Sequence, residues 1–173
     1  TRDLPGALTA FDTAVQLRPD DAGMRRNLGL ALLHLGRTSD ALRHLRDAAE
    51  AQSDPELWLI IAGAQHRLGA IAEARRSLET AVELRPNHPV ANFEIGNLLA
   101  AEGDYERAIP HYQRAIEGTP QAVPPRVNLA IALEHAGRLD EAIRVLAEVS
   151  AFAPGDAEVR RRLEHLQRLR TLP

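Results

Sequence analysis

Histidine is the side chain through which this protein could most readily do chemistry, as a metal ligand or a proton carrier, and there are seven. No two stand three or four residues apart, the spacing that sets two imidazoles on one helical face around a shared ion. Cysteine is absent, which excludes disulfides, thiolate nucleophiles and cysteine-ligated zinc and leaves the redox compartment open. The sequence holds no G-x-S-x-G elbow, no phosphate-binding Walker loop and no H-E-x-x-H pair. Carboxylates do cluster, as Asp140 with Glu141 and Asp104 with Glu106, but both clusters precede helical patterns, where negative charge favours the helix dipole. The residue content therefore predicts no catalytic centre, no metal and no cofactor. What remains is recognition, by amides, arginines and apolar side chains.

Composition narrows the partners. The 173 residues are 45% hydrophobic and 26% charged, ordinary for a globular chain, with a net charge of −3. All 21 basic residues are Arg, a usage that fits a GC-rich, bacterial genome. Residues 157–173 carry five of them, which leaves 16 Arg against 22 acidic residues in 1–156. Such a surface repels phosphate, so no nucleic-acid partner is expected. No apolar run approaches the ~18 residues of a bilayer span, so no membrane insertion is expected either. The opening Thr1-Arg2-Asp3-Leu4-Pro5-Gly6 lacks the basic start and apolar stretch of a signal peptide, and the only Met is Met24. The expectation is a soluble piece of a longer or processed chain, with the cytoplasm preferred over the periplasm.

The elements that must position any binding residues announce themselves by repetition. Ala7, Ala41, Ala74, Ala108 and Ala142 follow one another at steps of 34, 33, 34 and 34 residues. A large residue keeps the same beat at Phe11, Leu45, Leu78, Tyr112 and Leu146, and a small one at Ala14, Ala48, Ala81, Ala115 and Val149. Gly36, Gly69, Gly103 and Gly137 form a further column; Pro19, Pro86, Pro120 and Pro154 form another, interrupted by Ser53. Each period reads as two helices. The first has apolar residues at helical spacing, such as Ile95, Leu98 and Leu99, and ends at the Gly column; the second runs to the Pro column. Asp54 before Pro55, and Asp156, have the position of N-caps.

These columns resemble the tetratricopeptide repeat. The resemblance rests on Trp58, on Leu28-Gly29 and Ile95-Gly96, on the Gly36 column, and on the columns beginning at Ala7, Phe11, Ala14 and Pro19. It implies an all-α, right-handed superhelical solenoid of antiparallel helix pairs over 1–173, with four full repeats and a half repeat at each end. The boundaries read as a lone second helix in 1–21, repeats at 22–54, 55–88, 89–122 and 123–156, and a capping helix in 157–173. Three departures stand out: Gln65 replaces an apolar residue, the first complete repeat lacks one residue, and Pro110 falls inside a second helix, which it should bend. Leu4, Leu8, Phe11 and Val15 of the first helix would be covered on one side only. The other side would be met by upstream repeats, a neighbouring molecule or a second copy, so self-association through this uncapped helix is one expectation.

Members of the family hold a peptide or a partner's helix on the concave side, lined by first helices, and the resemblance implies a non-catalytic interaction scaffold. Its alternative is a recognition or targeting module of a larger bacterial enzyme, such as a glycosyltransferase, sulfotransferase or methyltransferase. The columns that face the groove in the family hold Arg26, Asn27, Leu30, Leu59, Ile60, Phe93, Asn97, Val127, Asn128, Ile131 and Arg162, the peptide-binding candidates. His34, His66, His135 and His165 share those columns, as solvated or partner-facing groups rather than ligands. One subset of the family clamps a terminal carboxylate with two Lys, two Asn and an Arg; here the columns read Phe93, Asn97, Asn128, Glu158 and Arg162, so both Lys are lost. A reduced site of Asn97, Asn128 and Arg162 remains. Another subset grips peptide backbone with a ladder of Asn, kept here at Asn27 and Asn128 and broken by Ile60 and Glu94.

Overall fold

Gly36, Gly69, Gly103 and Gly137 all adopt left-handed backbone, with φ of 75°, 74°, 81° and 75°. The residue after each donates its N–H five positions back, Arg37 to Leu32 O at 2.9 Å, Ala70 to Gln65 O at 3.0 Å, Asp104 to Leu99 O at 2.9 Å and Arg138 to Leu133 O at 2.8 Å. This is the Schellman closure of a helix. A Cβ at any of the four would meet nothing within 4 Å, so backbone conformation, not space, calls for Gly.

The computed structural model describes residues 4–171, without the side chains of Leu4, Pro5 and Ala7; the expectation for Leu4 lies outside the described residues. Every regular element among the described residues is a helix: α1 Leu4–Leu17, α2 Ala22–His34, α3 Thr38–Gln52, α4 Pro55–Arg67, α5 Ile71–Leu84, α6 Pro89–Ala101, α7 Tyr105–Gly118, α8 Val123–His135, α9 Leu139–Phe152 and α10 Ala157–Arg170. The glycine turns join α2 to α3, α4 to α5, α6 to α7 and α8 to α9, and such short connections make each pair antiparallel neighbours. Several starts are capped by side chains, whereas α3, α5, α8 and α9 have no such cap. Asp54 accepts from Glu56 N at 2.9 Å and Asp156 from Glu158 N at 3.0 Å, as their positions before the helices predicted, and Asp21 and Asp104 do the same for α2 and α7.

Two compact units divide the chain, Thr1–Pro86 and Asn87–Pro173. The first is built on Leu28, Leu32, Leu45, Leu57 and Ile61, with Ala41, Ala48 and Ala49 letting the helices close in. Leu8, Phe11 and Val15 of α1 pack at its margin, half-buried. Each fully buried Leu is worth about 1.5–3 kcal/mol of burial. The missing residue of the first complete repeat appears between α3 and α4, a connection of two residues where α5 to α6 and α7 to α8 use four. To close in that length Ser53 takes left-handed backbone at φ 49°, alone in this among the non-glycine described residues.

The second unit buries Ile95, Leu99, Leu129, Leu133 and Leu146 together with Tyr112. Its last helix buries Val159 and Leu166 and exposes Arg160, Arg161, Glu164, Arg168 and Arg170. Pro110 is exposed inside α7, which runs through it to Gly118.

Candidate binding surfaces

In the first unit the candidates come from α2 and α4. Leu30, Leu59 and Ile60 are half-buried; Leu30 and Ile60 lean on the unit's core, so part of each is spent on folding and part is offered outward. Arg26 and Asn27 are exposed, and the Arg26 guanidinium lies 3.4 Å from Asp54, the N-cap of α4.

In the second unit the candidates form a connected polar cluster. A Cβ at Gly96 would lie 2.6 Å from the Tyr112 ring, so only the bare backbone of α6 lets that ring lie so close. The Tyr112 hydroxyl thereby reaches Asn97 and donates to its Oδ1 at 3.1 Å, and Asn128 Nδ2 from α8 donates to the same oxygen at 2.8 Å. Burial pushes the Tyr112 phenol up to about 12, which keeps it a neutral donor at any physiological pH. Phe93, four residues before Asn97, packs on Tyr112 with ring centroids 6.1 Å apart. Val127 and Ile131 flank Asn128 on α8, half-buried. The oxygen of Asn97 is thus satisfied twice, while Asn97 Nδ2 and Asn128 Oδ1 have no partner among the described residues.

Arg162 is engaged by a carboxylate of the same unit. Its guanidinium is 3.1 Å from Glu134, with His165 at 3.9 Å from the same carboxylate. A carboxylate ligand at Arg162 must therefore compete with Glu134. His135 stacks flat on Tyr105, centroids 4.2 Å apart. Among the described residues no three His, Cys, Asp or Glu converge as a metal site, and no helix is long and apolar enough to cross a membrane.

Two partnerships were not read from the sequence. Tyr112 was a member of the large apolar column, yet its hydroxyl is what orients Asn97; the available signal was that its counterparts are Phe or Leu. Ser77 was unremarked, and it supplies the hydrogen bond, at 2.7 Å, that accounts for Gln65 in an apolar column.

Comparison with known proteins follows the same lines. Family models described as tetratricopeptide repeat match residues 1–56, 35–89, 67–124 and 99–165. The chain is 37% identical over 73 residues to the TPR repeat-containing thioredoxin TTL4 of Arabidopsis thaliana, 42% of this chain and 11% of that protein. It is 32% identical over 108 residues to BBSome complex member BBS4 of Mus musculus, 62% of this chain and 21% of the other. The cellulose synthase operon protein C of Xanthomonas axonopodis pv. citri is 29% identical over 149 residues, 81% of this chain and 10% of that one. The chain thus spans about a tenth to a fifth of these relatives. Among solved structures, YrrB, described as a TPR protein with an unusual peptide-binding site, superposes with TM-score 0.80 at 22% identity over 95% of this chain and 85% of its own. MamA does so with TM-score 0.75 at 21% identity over 90% and 92%. These two likenesses are of fold. With the glycine closures, the paired helices and models matched over 1–165, the chain belongs to the tetratricopeptide repeat family.

Proposed function

We propose that this protein is a non-catalytic interaction module that holds a peptide or a partner's helix on the exposed faces of its first helices. The observation that carries the reading is the Asn97 and Asn128 pair. It leaves the Asn97 amino group and the Asn128 carbonyl oxygen unspent, on helices that also carry the half-buried Phe93, Val127 and Ile131. A donor beside an acceptor matches the backbone amide of an extended peptide, and neighbouring apolar side chains supply burial. Leu30, Leu59 and Ile60 offer apolar contact of the same kind in the first unit, with Arg26 and Asn27 beside them. The likeness in fold to YrrB supports the reading, as does membership of the family. Arg162 serves an acidic ligand only where that ligand displaces Glu134.

A pull-down with the full chain tests this, comparing wild type with Leu59→Asp, Phe93→Asp and the double variant, all checked for unchanged helicity by circular dichroism. A carboxylate set into an apolar contact should weaken capture by about tenfold or more. The single variants assign the surface to one unit or the other. Equal recovery of the same partners by wild type and the double variant would end the proposal.

A further inference from the structure

Gln65 occupies a column that is Leu in the other repeats, at Leu32, Leu99 and Leu133, and it is as buried as they are, at 4% exposure. Burying an amide is unfavourable unless its donors and acceptors are matched. Ser77 Oγ donates to Gln65 Oε1 at 2.7 Å, which settles the oxygen. The Gln65 Nε2 group keeps two N–H donors with no partner among the described residues, and it is open to solvent rather than sealed in the core.

The same two residues line a cavity of about 330 Å³ framed by α3, α4 and α5. Trp58 forms part of its wall, seven residues from Gln65 and so on the same face of α4. Leu59 is turned about 100° and Ile60 about 200° from Trp58 at 3.6 residues per turn, so this cavity and the proposed peptide surface lie on different sides of α4. Arg46 of α3 and Glu73, Arg76 and Thr80 of α5 complete the lining. Arg76 and Glu73 pair with each other at 3.4 Å, whereas Arg46 has no carboxylate partner among the described residues.

We propose that this cavity is a binding site for a small planar carboxylate. A flat ring lies against Trp58, and the carboxylate accepts from the Gln65 amide and meets the unpaired charge of Arg46. A Leu at position 65 would remove the polar floor, which is what the other repeats have done. The volume is at the small end of ligand cavities and suits a single ring with a short acid. The inference is independent of the proposed peptide surface.

Trp58 is the only tryptophan in the sequence, so a change in emission on titration comes from the surroundings of this one wall residue. The test titrates the full chain with benzoate and, separately, with the uncharged benzamide, following Trp58 fluorescence and the Gln65 side-chain amide by NMR. Saturable benzoate binding is expected, with benzamide at least about tenfold weaker, since a charge-assisted bond is lost. Gln65→Leu and Arg46→Gln should each weaken benzoate by about five- to tenfold. Arg46 is exposed, so its variant carries the test if Gln65→Leu perturbs folding. No saturable change in either signal, equal response to benzamide, or wild-type affinity in the folded variants would overturn the site and leave Gln65 satisfied by water.

Discussion

Residues 1–86 and 87–173 use one template to opposite ends. At matching columns the first unit places Gly29, Leu30, Leu45 and Ile60, and the second places Gly96, Asn97, Tyr112 and Asn128. Both exploit the bare glycine: a Cβ at Gly29 would stand 2.6 Å from Leu45, and one at Gly96 stands 2.6 Å from Tyr112. The first unit fills the gap with an aliphatic side chain and joins Leu30 and Ile60 to its core. The second passes a phenol through it and spends the hydroxyl on orienting two amides. The backbone plan is indifferent to which is done, so the repeat secures the architecture while a few columns decide what the surface can recognise.

The sharpest way to break this comparison is at the glycines. Gly96→Ala should cost about 2–3 kcal/mol, because the colliding atoms belong to a rigid buried ring, and Gly29→Ala should cost less, because Leu45 can turn. Urea denaturation measures both, and equal costs would mean that the two gaps are not used differently. Next comes exchange of the columns themselves. Asn97→Leu imports the first unit's residue and strips the acceptor from the Tyr112 hydroxyl and Asn128 Nδ2, at about 2 kcal/mol. In a double-mutant cycle with Tyr112→Phe the coupling should be about 0.5–1.5 kcal/mol, and strict additivity would dissolve the cluster into unrelated contacts.

The connection between α3 and α4 sharpens the contrast with the longer linkers. Ser53→Gly should raise stability by about 0.5–1 kcal/mol, since glycine takes the left-handed conformation without strain. An unchanged or lower denaturation midpoint would refute it. The smallest effect concerns His44 and His111, which share a column. His111 Nδ1 lies 3.0 Å from Asn92 Oδ1, whereas His44 Nδ1 is buried with no partner among the described residues. Burial first, and then nearby arginines, hold both imidazoles below the ordinary 6.5. The folded chain therefore binds fewer protons than the unfolded one as pH falls below that value. The contribution to stability is whole above pH 6.5 and is lost on acidification toward the depressed values. Denaturation midpoints measured from pH 7 downward through 6.5 should show this fall, and replacing both histidines with Gln should flatten it; an unchanged slope would rule the two groups out.

Much of the fold was legible before any coordinates. The glycine column, the caps at Asp54 and Asp156 and the apolar spacing of α6 are local matters of backbone conformation and residues one turn apart. The binding surface was legible only as faces. Columns could say that Asn97 and Asn128 share a side with Phe93, but not that one amide oxygen would be held from two directions, nor that Arg162 would be engaged by Glu134. Gln65 was visible as an anomaly and Ser77 was not, because the partner stands twelve residues away on the facing helix.

The amino-acid order alone therefore determined where helices begin and end, how they pair and which side of each turns inward, since these follow from torsional preference and a repeat of about 3.6 residues per turn. The tertiary structure alone decided which polar atoms meet across helices and which are left over at Asn97, Asn128 and Gln65. Hydrogen bonds discriminate within a few tenths of an ångström, and that approach is set by the packing of neighbouring helices around missing or present Cβ atoms, a distance no periodicity contains.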